Sequence, residues 1–437
     1  MTTISSHRAP SLPVNRPACQ VPTFWLTMLL AALTAQAQTS ESPTTIDPLF
    51  SETPDADAEI EPADLEIDEG WKGFFLGPLR VGGALRYNYS TRDYGSHYQD
   101  SGELALDTVR VNLDLDTEHI IGSLEYRYYN ERFTDNHDYH MLKYAWLGWK
   151  IDDESQVRAG LTQVPFGIQT YASHSWFFQL PYYVGLEDDY DLGVKLIHDS
   201  GPWEFQLAYF ANDGGDYTGD SNDSARYSYD LVLEENDGNE EKHQGNAKLA
   251  YTFDHSESNT TEIGLSLQYG LVPNKNTGRD GNQWAVAAHL NGTYGRWNLM
   301  LQAIHYKYDL ENDPSLDSSP DGSFVTMGAY DAWYHVASEA SILTAGLAYT
   351  LPIDNHGIQS LTFYNDSSLM LKAESGYNDT VQNVLGCMIS ANPFYIYIDL
   401  AVGKNHPWLG GDWTDGLAEG ADDKWGTRFN VNIGLYF

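Results

Sequence analysis

The chain has 437 residues, of which 62 are acidic and 24 are lysine or arginine, giving a net charge of -38. Charge of that sign and size excludes binding to nucleic acid or to an anionic lipid surface by general electrostatics. Aromatic residues make up 13% of the chain, with 30 Tyr and 12 Trp, while mean hydropathy is negative. Together these describe either a soluble all-β protein or a membrane barrel ringed with aromatics.

Residues 1–37 read as a secretory signal peptide. His7, Arg8 and Arg16 precede the apolar run Phe24 to Leu33, and Ala35-Gln36-Ala37 has the small-x-small form of a cleavage site. Cys19 lies before the apolar run, so the lipoprotein arrangement is absent and Cys387 becomes the lone thiol of the exported chain. Residues 38–70 carry four prolines and eleven acids with no Lys or Arg. Such a segment has too little apolar surface to order itself and is expected to form an acidic, disordered periplasmic tail.

Residues 71–437 read as one array of strands. Val81, Leu85 and Tyr87 alternate with Arg80, Arg86 and Asn88, and Val109, Val111 and Leu113 alternate with Arg110, Asn112 and Asp114. The same split recurs at 203–209, 247–253, 263–271 and 394–402. No later stretch approaches the ~20 apolar residues of a spanning helix. Alternation alone also suits a soluble sandwich, so the end of the chain decides. Phe429, Val431, Ile433, Leu435 and Phe437 share one face of a terminal strand. In water that face is an aggregation hazard, whereas in lipid it is satisfied. A last strand of this kind resembles the assembly signal read by the outer-membrane barrel-assembly machinery.

Short joins, such as those near His119 and at Gly295-Arg296, alternate with long acidic segments at 212–244, 309–322 and 407–424. That is the turn-and-loop pattern of a transmembrane antiparallel β-barrel. At roughly 20 to 24 residues per strand and connection, the count is about 16 strands, with 18 also compatible. The expected setting is the cell outer membrane, with lipid outside the wall and small polar solutes or ions within.

Val157 to Gly167, ending in Val164-Pro165-Phe166-Gly167, resembles the strand and "PFG" turn of the phosphate- and polyphosphate-selective porins. Tyr190-Asp191-Leu192-Gly193-Val194 and Phe210-Ala211-Asn212-Asp213-Gly214 sit where that family has its "diGv" strand and "fNG" loop. The resemblance implies a 16-stranded homotrimeric barrel with its third outer loop folded into the pore. Phosphate selection in the family goes with inward arginines and a lysine cluster. Here Arg80, Arg86, Arg110, Arg127 and Arg158 have inward parity, lysines are sparse, and the acidic run Glu187, Asp188, Asp189 and Asp191 falls in the loop that would fold inside.

Two readings of the arginines follow. Facing an acidic loop, they set a field across the constriction; paired with Asp114, Asp116 or Glu125, they belong to the wall. The cluster Trp176, Phe177, Phe178, Tyr182 and Tyr183 is either a slide for ring-bearing solutes or packing for the loop. His137 and His140 beside Asp135 and Asp138 have metal-ligand types, but a polar loop gives that pattern by chance. No nucleophile motif or cofactor site is present, so the expected function is a passive channel, cation-preferring at its mouth. The alternatives are a phosphate or anion channel using the arginine row, a barrel enzyme, and a plugged structural barrel.

Overall fold

The computed structural model describes residues 73–95, 102–130, 138–355, 357–420 and 424–437. The signal peptide and acidic tail expected from the sequence, and Asp135 and His137, lie outside them.

Sixteen antiparallel strands close into a barrel. In chain order these are β1 (Leu79–Arg92), β2 (Glu103–Asp116), β3 (Ile120–Tyr129), β4 (Tyr139–Lys150), β5 (Ser155–Gln163), β6 (Tyr190–Ser200), β7 (Trp203–Asn212) and β8 (Lys242–Ser256). The second half comprises β9 (Asn259–Asn274), β10 (Arg279–Tyr294), β11 (Trp297–Asp309), β12 (Glu339–Asn355), β13 (Ile358–Lys372), β14 (Thr380–Ala391), β15 (Phe394–Lys404) and β16 (Trp425–Tyr436). Each pairs with the next, and β16 pairs back onto β1 with Leu435 opposite Leu85 and Val431 opposite Tyr89. The backbone of Gly83 and Phe437 exchanges two further hydrogen bonds, N to O at 2.6 and 2.9 Å. No strand edge of the barrel is left open, which a bilayer requires.

The two-residue side-chain period has a direct cause here, because the two faces of the wall meet different solvents. On β9, Ile263, Leu265, Leu267 and Tyr269 face out, with Leu265 63% exposed, while Ser266 and Gln268 are buried within. On β16, Phe429 and Ile433 face out and Arg428, Asn430 and Asn432 face in. Aromatic side chains gather where the strands meet the short turns: Trp203 packs against Tyr251, Tyr251 against Phe253, and Trp297 against Tyr349. These are positions for an interfacial girdle.

Seven connections at one end are turns of two to four residues, and those at the other end are longer except for the four-residue turn 275–278. Three long ones matter for the lumen: 164–189, 213–241 and 310–338. They fold inward and against each other. Phe324–Ala329 and Ala332–Ala337 form a hairpin, and Phe324–Ala329 also pairs with Asp230–Leu231 in a separate three-stranded sheet. Sequence alternation at 324–337 is indistinguishable from that of a lipid-facing strand, yet these residues lie in this inner sheet. It packs on the connection 164–189, the third in chain order at this end of the barrel, where Tyr334 Oη donates to the carbonyl of Tyr183 at 2.7 Å.

Candidate functional site

The pore is shaped by residues 164–189, the third long connection, which leaves the wall at β5, crosses the lumen and returns at β6. Its neck is closed by Val164 N–H donating to the Asp189 carbonyl at 2.8 Å. Gly167 turns the chain with φ +62°, and a Cβ there would collide with the Gln302 side chain, so glycine is required. The turn docks on the far wall: Gly167 N–H donates to Ser266 Oγ at 3.0 Å and Ile168 N–H to Gln302 Oε1 at 2.8 Å.

The tip of the connection is held by Asp366 on β13. Backbone N–H groups of His174 and Ser175 donate to Asp366 Oδ2 at 2.7 and 2.8 Å, and His174 Nδ1 lies 2.8 Å from Oδ1. His174 Nε2 meets Asn298 Oδ1 at 2.7 Å. Further along, Gln382 Nε2 donates to the Phe178 carbonyl at 2.6 Å and Leu180 N–H to Ser368 Oγ at 3.2 Å. A 3-10 turn, Tyr182–Val184, then reverses the chain, capped by Gly185 at φ +70°.

Burial opposes a charge on His174, but the hydrogen bond and charge of Asp366 and the bond to Asn298 outweigh it, so its pKa lies above the ordinary 6.5. A pKa raised on folding means that this link contributes fully below about 6.5 and is lost as pH rises through the higher folded value. Brief closures and current noise in single channels should therefore increase as pH goes from about 6 to about 9, and His174→Gln should flatten that dependence. A wild-type channel equally quiet across the range would remove His174 as the pH-sensitive anchor.

Between this connection and the wall lies a cavity of about 460 Å³. Its lining includes Arg86, Arg127 and Arg428 together with Trp176, Phe177, Phe178, Tyr182 and Tyr183. Phe178 stacks on Tyr182 with ring centroids 3.7 Å apart. Arg428 Cζ sits 5.2 Å from the Phe177 ring and 5.8 Å from that of Trp176, within cation–π range.

Each of the five arginines expected to face inward has a partner, and of the five Arg86 and Arg127 border the cavity. Arg80 meets Asp114 at 2.7 Å, Arg86 meets Asp107 at 3.1 Å, and Arg110 meets Glu125 at 3.6 Å. Arg127 also pairs with Glu125, donates to Tyr129 Oη at 3.0 Å and covers the Tyr227 ring. Arg158 lies over Trp146 and donates to Gln156 Oε1 at 3.0 Å.

The acidic run is placed differently from the aromatic cluster. Glu187, Asp188, Asp189 and Asp191 are buried at the neck of the connection and do not line the cavity. Asp188 pairs with Lys143 at 3.2 Å and accepts from Tyr227 Oη at 2.6 Å and Tyr190 Oη at 2.9 Å. Burial pushes the Glu187 carboxyl well above the usual range despite the Ala172 N–H that it accepts. Of the histidine-rich segment, His140 Nδ1 lies 2.7 Å from Tyr126 Oη.

Sequence reasoning missed Lys143, Arg428 and His174. The polar parity of the last strand marks Arg428 as inward. Lys143 is hidden because the β3–β4 register shifts between Glu125 and Tyr126, which moves its parity. No local signal marks His174, whose partners are 124 and 192 residues away.

Residues 119–313 match the family described as Phosphate-selective porin O and P. Among solved structures, the outer membrane channel DcaP of Acinetobacter baumannii aligns with a TM-score of 0.54 at 12% identity, over 84% of this chain and all of that one. The anion-selective porin from Comamonas acidovorans gives 0.52 at 12% identity, over 82% of this chain and 99% of that one. Salmonella typhi OmpF in complex with daunomycin gives 0.54 at 12% identity, over 82% and 97%. At these identities the likeness is one of fold. No curated protein matches the chain in sequence. With sixteen strands closing the barrel and a family match across its middle, the chain has the fold of the outer-membrane porins and resembles the phosphate-selective porin O and P family.

Proposed function

We propose that the chain is a passive diffusion channel for small polar or ionic solutes, with cations enriched at its outer mouth. The observation that carries the reading is the third connection laid across the lumen, which leaves a cavity walled by guanidinium groups and aromatic rings. Such a passage has polar and ring-binding surface suited to small solutes. Enrichment of cations is supported by the connection 213–241, with ten acidic residues against Arg226, and by 310–338, with five against none.

A second reading, an anion-preferring constriction, is favoured by Arg86, Arg127 and Arg428 standing together in the cavity with Asp107 as the acid beside them. The mouth and the constriction then act on opposite signs. Reversal potentials in a planar bilayer under a potassium chloride gradient, with and without phosphate, separate the two. Cation-selective steps indifferent to phosphate support the first reading. Anion selectivity blocked by phosphate supports the second, and absence of conductance would favour a plugged barrel.

Export through the signal peptide at 1–37, a periplasmic tail at 38–70 and a homotrimeric assembly complete the proposal, the last on the family resemblance. The outward set Phe429, Val431, Ile433 and Leu435, with the terminal Phe437, fits the role of assembly signal because it is apolar and lies on the closing strand.

A further inference from the structure

At the neck of the constriction connection, three carboxylates from separate parts of the chain meet. Asp189 ends the connection, Asp191 opens β6, and Asp230 belongs to the inner sheet. One oxygen of each lies within 4.8 Å of the others, and all three residues are buried. Their hydrogen bonding is incomplete. Asp191 Oδ2 accepts from Gln244 Nε2 at 3.1 Å and Asp230 Oδ2 from Arg226 Nη1 at 3.1 Å, but Asp189 Oδ1 and Asp191 Oδ1 have no partner. Thr162, opposite Asp191 in the β5–β6 register and hence on the same face, is fully buried, and its Oγ1 also lacks a partner.

The neighbouring countercharge is already committed. Arg226 is shared among Asp213, Asp223 and Asp230 at 2.6 to 3.1 Å. Lys143 is engaged by Asp188. Buried carboxylate oxygens without donors are expensive, and a bound cation is the usual remedy. The spacing permits a hard cation: with bonds of about 2.4 Å, no two oxygens around a calcium ion stand farther apart than about 4.8 Å, and these three lie within that limit. All the donors are oxygen, which disfavours zinc, and the buried setting disfavours magnesium, which keeps much of its water.

We propose that Asp189, Asp191 and Asp230, with the hydroxyl of Thr162, bind one calcium-sized divalent cation. It ties the end of the constriction connection to the connection 213–241 above it. The site is independent of which solute passes through the pore.

The test uses the refolded chain in detergent and terbium luminescence sensitised by the adjacent Tyr190, with calcium as competitor. Because the surface is acidic, the isosteric variants D191N and D230N are titrated beside D152N/E154Q, which neutralises exposed acids in a distant turn. The expected result is one saturable site per chain, displaced by calcium, weakened at least tenfold in D191N and D230N and unchanged in D152N/E154Q. Absence of a saturable site in the wild type, or equal affinity in D191N and D230N, overturns the proposal. Should both variants fail to fold, proteolysis of the wild-type chain within 213–241 decides: calcium should slow it at least tenfold relative to chelator, and equal rates overturn the proposal.

Discussion

Lys143→Met should destabilise the barrel by about 3–5 kcal/mol, the range for removing one partner of a buried ion pair. Lys143 and Asp188 are both fully buried, 3.2 Å apart, and the Lys143 ammonium also donates to Tyr171 Oη at 2.9 Å. Methionine fills nearly the same space but leaves the Asp188 carboxylate facing two tyrosine hydroxyls without its cation. The change is read from urea unfolding in detergent by tryptophan fluorescence. Lys143→Met/Asp188→Asn should recover most of the loss, because the buried charge leaves with its partner. Unfolding of Lys143→Met at the wild-type midpoint would mean that the pair carries no net energy. The same variant should show noisier single channels, since Tyr171 and Asp188 both belong to the connection that forms the constriction.

Glu125→Gln should turn the pore toward anions. Glu125 is fully buried between Arg110 and Arg127, and its Oε2 also accepts from Asn112 Nδ2 at 2.8 Å. Glutamine keeps the shape and removes the negative charge, so Arg127, which borders the cavity, acts on passing ions without its neutralising partner. An extra unit charge about 6 Å from an ion is worth about 0.7 kcal/mol even in water, roughly a threefold change in partition, and more where water is excluded. Anions gain and cations lose by that factor, so the anion-to-cation permeability ratio should rise by up to about tenfold on that ground. An unchanged reversal potential would show that Arg127 lies outside the ion path, and the arginine cluster would lose its role in selection. Folding is checked by heat-modifiable migration, since Glu125→Gln also strains a buried network.

The barrel was legible in the sequence because lipid and lumen impose opposite demands on alternate residues. Ile263 to Leu271 and Phe429 to Leu435 show it without ambiguity, and the strand count followed from segment length. Inward parity of Arg80, Arg86, Arg110, Arg127 and Arg158 was readable for the same reason. Their partners were less so: Asp114 and Glu125 were considered, while Asp107 was not. What parity could not convey is how the long connections fold. Glu187 to Asp191 reads as an acidic run facing the constriction, but Asp230 and Glu241 arrive from about forty to fifty residues downstream, and the run is buried beside them. The hairpin at 324–337 carries Val325, Met327, Tyr334 and Val336, a pattern that serves equally for a wall strand. Its place inside the lumen depends on contacts with Tyr183 and Asp230, which no local window contains.

The contrast between the two ends of the barrel has an electrical consequence. Long acidic connections crowd one opening, the other is rimmed by short turns, and guanidinium groups lie at the narrows between. On the proposed reading, such a sequence of fixed charge along the ion path would act as a diode: counter-ions accumulate ahead of the barrier under one polarity and are depleted under the other. Open channels inserted in one direction should pass unequal currents at equal and opposite voltages. The inequality should fade as salt rises toward 1 M, where the screening length falls to about 3 Å.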